Sequence, residues 1–461
     1  MSTDYSESSS VVADSPAHKH CEDLIDFVVA SPSSYHAAGE VVRRMVAAGA
    51  TYVTEADPWP AAAGTYVMQR GGAAVAWIVP PELADDPATW GFSIVGSHTD
   101  SPGFRLKPNP VVTSAGYAQA ACEVYGGALL GAWTDREIEF AGRVVDVDGA
   151  EHLVRTGPIA RIPQLAIHLN RAVNEEGLKL HRQRHTVPII GLLPESGSAA
   201  KTSIHQAIAA AAGMEVERIV AWDLISCDTQ RPRTFGLNNE FLACGRLDNL
   251  LSVHASLVAF ENMLATGTPP ATNTIPVLVA FDHEEVGSAS TTGAAGPLLA
   301  DVLTRIATAA GATGDMTQRM YRRSVCLSVD GGHAVHPNYV EEHEPGHHPQ
   351  LDGGPVLKIN ANQRYATNAV GQALVERVAK QASERIGETI PVQYFVSANH
   401  KPCGSTIGPI TATRLGIETI DLGAAMLSMH SPRELCGVKD PWWMMELITS
   451  FWTTTTMGSH T

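Results

Sequence analysis

At 461 residues, with 44% hydrophobic and 17% charged side chains, the chain has the size and composition of a globular protein of two or three domains. Its formal net charge of −16 argues against a nucleic-acid surface, where Lys and Arg must neutralise phosphates. No apolar run is long enough to cross a bilayer, and the seven cysteines form no C-x-x-C pair, which points to buried free thiols in a reducing compartment rather than cysteine zinc sites.

The polar N-terminus (MSTDYSESSSVVADSP) lacks the basic and apolar regions of a signal peptide, so a disordered tail over 1–16 and a cytoplasmic location are expected. From near residue 17 two helices are predicted. Leu24, Phe27 and Val28 share one face and Val41, Val42 and Met45 another, with a stop and a helix cap at Ser31-Pro32-Ser33-Ser34 between them. Strands TYVMQR and AAVAWIV follow, then FSIVGSH, which delivers His98 at its carboxyl end. From 103 to 244 the texture changes to short β-like runs such as CEVYG and IEFAGRVVDV, an insert with its own core. From Gly245 helices and strands alternate again: a helix with Leu250, Val253, Leu257, Phe260 and Leu264 on one face, then strands TIPVLVAF, VCLSV and GIETIDLG. This order predicts an α/β fold, a largely parallel sheet with helices on both faces, in a discontinuous unit (17–102 and 245–461) interrupted by the β-rich insert. Motifs at the carboxyl ends of such strands converge in one crevice.

Those motifs are rich in metal-binding groups. His98, Asp248, Glu285, Asp330 and His430 together offer two imidazoles and three carboxylates, enough for two adjacent divalent ions if one carboxylate is shared. Asp248, in Gly-Arg-Leu-Asp-Asn at a predicted helix start, is the candidate bridge; a plain N-cap aspartate is the alternative. In His98-Thr99-Asp100, Asp100 is placed to accept the second ring N–H of His98 and set its tautomer. Of the adjacent pair after TIPVLVAF, Glu285 is read as a ligand and Glu284 as the general base. His333, three residues beyond Asp330, is placed to steady an oxyanion. His336, His343, His347 and His348 are read as structural or supporting groups. Lys358 needs an anion, either the side chain of an acidic substrate or a neighbouring carboxylate.

The stretches SHTDSPGFRLKP, GRLDN, FDHEEVGS, DGGHAVHPNY, LKINANQRYAT and MHSPRE, in this order, resemble the M18 family of metallo-aminopeptidases, the aspartyl aminopeptidases, from SPSSYHA to MHSPRE. The resemblance implies two zinc ions per subunit, with cobalt or manganese able to substitute. One would be held by His98, Asp248 and Asp330, the other by Asp248, Glu285 and His430. Glu284 would be the base, and His333, Lys358 and Tyr365 would contact the substrate. The insert resembles the family's dimerisation domain, whose counterpart of His168 reaches the neighbouring subunit's active site, and the family's dimers assemble into a tetrahedral dodecamer. The implied activity is release of N-terminal Asp or Glu from peptides, without nucleic-acid or membrane partners. The alternatives are a preference for neutral residues such as Leu, a metal-dependent deacylase, and a non-catalytic assembly or carrier protein.

Overall fold

The computed structural model describes residues 15–193 and 200–454, so the expected tail lies outside the described residues except at its last two positions. There the helix Pro16–Ala30 has already begun, capped by Ser15, whose side chain accepts the His18 N–H. The Ser-Pro-Ser-Ser break separates it from Ser34–Ala47, where the Ser33 hydroxyl accepts the His36 N–H. Leu24, Phe27, Val28, Val41 and Met45 are buried, and Val42 packs beside them.

The central sheet has nine strands. Its middle four, in the order Thr274–Phe281, Gly91–His98, Val325–Val329 and Glu418–Gly423, run parallel. Antiparallel partners flank them: Ala73–Val79 beside Thr274–Phe281, and Val356–Ile359 beside Glu418–Gly423. The sheet is therefore mixed at its margins and parallel where the motifs sit. Every residue of Thr274–Phe281 is buried. Leu278 and Ala280 face the helices Leu247–Thr266 and Lys439–Thr454, while Val277, Val279 and Phe281 face Leu298–Ala309. A strand with no polar face is stable only when both sides are covered, because each large apolar side chain contributes about 1.5–3 kcal/mol on burial.

A second, seven-stranded sheet is built from residues 103–228. Ile219–Asp228 pairs with both Gly103–Ser114 and Glu137–Asp146, curling the sheet toward closure. Phe104, Trp133, Phe140 and Leu224 form a core separate from the two beneath the central sheet. Arg233–Phe235 and Phe241–Cys244, at the end of the insert read from sequence texture, join a third sheet with Glu434–Gly437, Ala425–Leu427 and Gly332–His333. Strand pairing across about two hundred residues of sequence has no local signature, so texture alone could not announce this third sheet.

Candidate metal centre

The parallel register puts the metal-binding motifs on one rim. Phe281 lies opposite His98, and Ser328 opposite Gly96, so the Asp282–Glu285 turn, His98 and Asp330 leave the sheet together. Asp248 arrives on the first turn of Leu247–Thr266 with non-helical φ −80° and ψ 101°. It is not the N-cap; Arg246 occupies that position without a side-chain cap. His430 follows Ala425–Leu427 with φ 68°.

Four contacts define the centre. The Nε2 atom of His98 lies 3.2 Å from Asp248 Oδ1 and 3.5 Å from Asp330 Oδ1. The Nε2 atom of His430 lies 3.4 Å from Asp248 Oδ2 and 3.3 Å from Glu285 Oε2. The two triads share only Asp248, one oxygen each. A third grouping joins His98 to Glu284 and Glu285, with Glu284 Oε2 at 4.0 Å from His98 Nε2.

The histidine tautomers follow from what lies behind the rings. His98 Nδ1 is 3.0 Å from the backbone oxygen of Asp100, and His430 Nδ1 is 3.1 Å from that of Gly127. A carbonyl oxygen only accepts, so both Nδ1 atoms carry the proton and both Nε2 lone pairs point at carboxylates. Lone pairs converging on lone pairs need a cation between them, a proton or a metal ion. Asp248 Oδ1 and Glu285 Oε1 are buried without a hydrogen-bond partner, which adds to the demand. Ligand atoms about 2.0–2.1 Å from a tetrahedral zinc stand about 3.3–3.4 Å apart. All four contacts fall close to that spacing.

The electrostatics agree. Burial pushes Glu284 up to about 8, with Asp330, Asp248 and Asp100 adding to the effect against His98. Burial and then Asp248 drive Glu285 well above the carboxylate range. Burial and Asp248 also raise Glu434 to about 8. Burial opposes the charge on His98, yet bonds to Asp100, Asp248 and Asp330 raise it. For His430, Asp248 overcomes burial and lifts it to about 9. A centre that must hold protons to offset crowded carboxylates can exchange them for metal ions.

Asp100 does more than the sequence implied. Its Oδ1 is 3.4 Å from His98 Nδ1 and accepts the Glu284 N–H at 3.0 Å. Its Oδ2 accepts the Glu285 N–H at 3.1 Å and the Tyr125 hydroxyl at 2.8 Å. Lys358 is 2% exposed, with Nζ 3.6 Å from Asp330 Oδ2 and 5.4 Å from the centre of the Tyr365 ring. A neighbouring carboxylate, one of the two partners weighed for it, is therefore within ion-pair distance. His333 and Tyr365 line a cavity of about 170 Å³ with Phe395, Lys401 and Glu342. His168 sits on the exposed turn Ile167–Leu169 and takes no part in the described contacts of the centre. His343 accepts the backbone N–H of His336, and His347 bonds Glu344; neither joins the metal-ligand groups.

Three supporting residues escaped the sequence reading: Tyr125, Gly127 and Glu434. Tyr125 and Gly127 come from the seven-stranded unit, so only folding brings them to the rim. A Cβ on Gly127 would stand 3.1 Å from His430 Nδ1, a tight approach to which the ring would have to yield. Glu434 lies four residues beyond His430, within the MHSPRE motif, and that proximity was the available signal.

Two histidines and a set of carboxylates converging at the carboxyl rim of an α/β sheet define a metal-dependent hydrolase. The family described as Aminopeptidase I zinc metalloprotease (M18) matches residues 27–452. The chain is 47% identical over 433 residues to the probable M18 family aminopeptidase 2 of Streptomyces avermitilis, covering 94% of this chain and 97% of the relative. With the protein of the same description from Pseudomonas aeruginosa it shares 40% over 437 residues, again 94% and 97% of the two chains. Among solved structures it resembles a chain of the Ape4 and Nbr1 complex, with a TM-score of 0.88 at 34% identity, covering 98% of this chain and 88% of that one. Yeast aminopeptidase 1 (Ape1) follows the same course, with a TM-score of 0.80 at 27% identity and coverage of 94% and 97%. The chain belongs to the M18 family and is a metallo-aminopeptidase, an exopeptidase of a family described as zinc-dependent.

Proposed function

We propose that the chain is a two-zinc aminopeptidase with Asp248 as the shared ligand. His98 and Asp330 complete one site, Glu285 and His430 the other, and cobalt or manganese can replace zinc. The observation that carries this reading is the Asp248 carboxylate, whose two oxygens each face a different histidine Nε2 lone pair, at 3.2 and 3.4 Å. The ions, when bound, polarise the scissile carbonyl and acidify the attacking water. Glu284, held over the centre by its own backbone N–H on Asp100, takes the proton of that water and returns it to the leaving amine. His333, on the rim beside the 170 Å³ cavity, donates toward the carbonyl oxygen as charge develops. Tyr365, on the same cavity wall, contacts the first residue of the peptide.

The favoured first residue is Asp or Glu, drawn by Lys358 and Tyr365. One observation favours the second reading, a preference for neutral residues such as Leu: Lys358 is already paired with Asp330. Dipeptides differing only at the first residue, free and N-acetylated, decide between them in zinc-loaded and chelated enzyme. Cleavage of acetylated substrates would replace the aminopeptidase reading with a deacylase or endopeptidase one. Faster cleavage of Leu- than of Asp-peptides would remove the assignment of Lys358 to acidic substrates.

Residues 103–244 act as a dimerisation unit on a catalytic unit of 17–102 and 245–461, and the dimers build a tetrahedral dodecamer in the cytoplasm. One solved relative is described as the mApe1 dodecamer. Leu165, Ile167 and Leu169, at 61%, 45% and 74% exposure, flank His168 and offer an apolar surface for a neighbouring subunit. Seven free cysteines suit a reducing compartment. Light scattering gives the assembly state. A His168→Ala variant that assembles normally and keeps full activity would exclude His168 from a neighbour's site.

A further inference from the structure

Glu434 is 2% exposed, at the start of the strand Glu434–Gly437. Among the described residues no Lys or Arg forms an ion pair with it. Its two oxygens are spent on two backbone groups. Oε2 accepts the N–H of Asp248 at 3.0 Å, and Oε1 accepts the N–H of His430 at 2.7 Å. Those two residues follow the two strands that flank Glu434–Gly437, Phe241–Cys244 before Asp248 and Ala425–Leu427 before His430. Cys244, four residues before Asp248, pairs with Glu434 itself, and His430 sits on the turn four residues before it.

Both clamped residues have unusual backbones. His430 is left-handed at φ 68°, a conformation that disfavours a side chain. Asp248 is non-helical inside the first turn of a helix. An acceptor for each N–H, one oxygen apiece, is what a local fold of this kind needs to stay in one geometry. The oxygens of Glu434 face amides, not the converging lone pairs of the centre, so it is not itself one of the ligands.

We propose that Glu434 is a positioning residue that fixes Asp248 and His430 relative to each other, and so builds the second half of the metal centre. The inference rests on the two-ion reading above. Without the clamp, Asp248 still faces His98 and Asp330, whose positions are set by the central sheet. His430 loses its tie to Asp248, and the Asp248–Glu285–His430 triad opens. Glu434 therefore governs the second ion far more than the first.

The test uses the full-length protein, stripped with chelator and dialysed against buffered zinc, with bound metal measured per chain. The wild type binds two ions. Glu434→Gln, which can accept only one of the two N–H groups, keeps the first ion within about threefold of its wild-type affinity and weakens the second at least tenfold. Titrated with cobalt instead, the variant keeps the visible absorption gained with the first equivalent of metal and loses that gained with the second. Its kcat falls at least tenfold while KM stays within about threefold, since peptide contacts are untouched. Glu434→Asp, which keeps the charge but not the reach, lies between the two and carries the test if the Gln variant melts below the assay temperature in chelator. A Gln or Asp variant that binds the second ion within twofold of the wild type overturns the proposal and leaves Glu434 a packing residue. A wild type that binds one ion removes the two-ion reading itself, a result visible before any variant is made.

Discussion

Asp100→Asn replaces one carboxylate oxygen by an amide at the point where three parts of the centre meet. The carboxylate takes the N–H of Glu284 at 3.0 Å, the N–H of Glu285 at 3.1 Å and the hydroxyl of Tyr125 at 2.8 Å. Either placement of the new NH₂ group turns a donor against a backbone N–H, since one amide points at each oxygen. An orphaned buried donor costs about 1–3 kcal/mol, and the surviving bonds lose their charge assistance. The negative charge behind His98 disappears as well. Outer carboxylates of this kind are worth about 10–100-fold in metal affinity or activity. The expected outcome is a loss of about 10–100-fold in zinc affinity, read by competition with a chromophoric chelator, with a parallel fall in kcat/KM. Thermal melts sharpen the reading. The substitution removes a charge that raises Glu284 and Glu285, so the chelated protein suffers less than the zinc-loaded one, and the stabilisation given by zinc shrinks. Zinc affinity within twofold of wild type would refute the idea that Asp100 holds the ligand turn in place.

Three other outcomes are expected. Glu284→Gln keeps the ligand set intact and binds zinc as the wild type does, but loses about 10²–10⁴ in kcat; activity within threefold of wild type at full metal content would exclude Glu284 as the base. His36, against whose charge burial works first and Arg155 and Arg246 next, is lowered from 6.5 to about 4. The unfolded chain then takes up its proton before the folded one, so stability is retained above about pH 6.5 and falls toward pH 4. The loss is at most about 3 kcal/mol, and urea midpoints in chelator that do not flatten over this range in His36→Gln would contradict it. Gly423→Ala would drive a methyl group into the backbone oxygen of Asp330, and the strand must shift to relieve it. The variant is expected to lose the ion held by His98, Asp248 and Asp330, and a normal metal content would show that the strands tolerate the displacement.

Much of the centre was legible in the chain because strand ends are local. Apolar runs such as TIPVLVAF and FSIVGSH stop where polar clusters begin, and a parallel sheet gathers those stops on one rim. The five proposed ligands and Glu284 could therefore be named from motif and residue type. The ion partner of Lys358 could not, since a lone buried cation in sequence says only that an anion is near. The structure places Asp330 there. The third sheet was hidden for a related reason: Phe241–Cys244 pairs with Glu434–Gly437, and nothing local announces so distant a partner.

Sequence by itself determined the alternation of helix and strand, the chemistry available at each strand end and the family to which the chain belongs, because periodicity, caps and ordered motifs are properties of neighbouring residues. Tertiary structure alone decided which lone pairs meet. Gly127 behind His430 and Tyr125 on Asp100 come from the seven-stranded unit, and Glu434 across Asp248 and His430 from the third sheet. Hydrogen bonds of about 3 Å depend on how those sheets dock, and docking is set by the packing of whole surfaces rather than by any short stretch of chain.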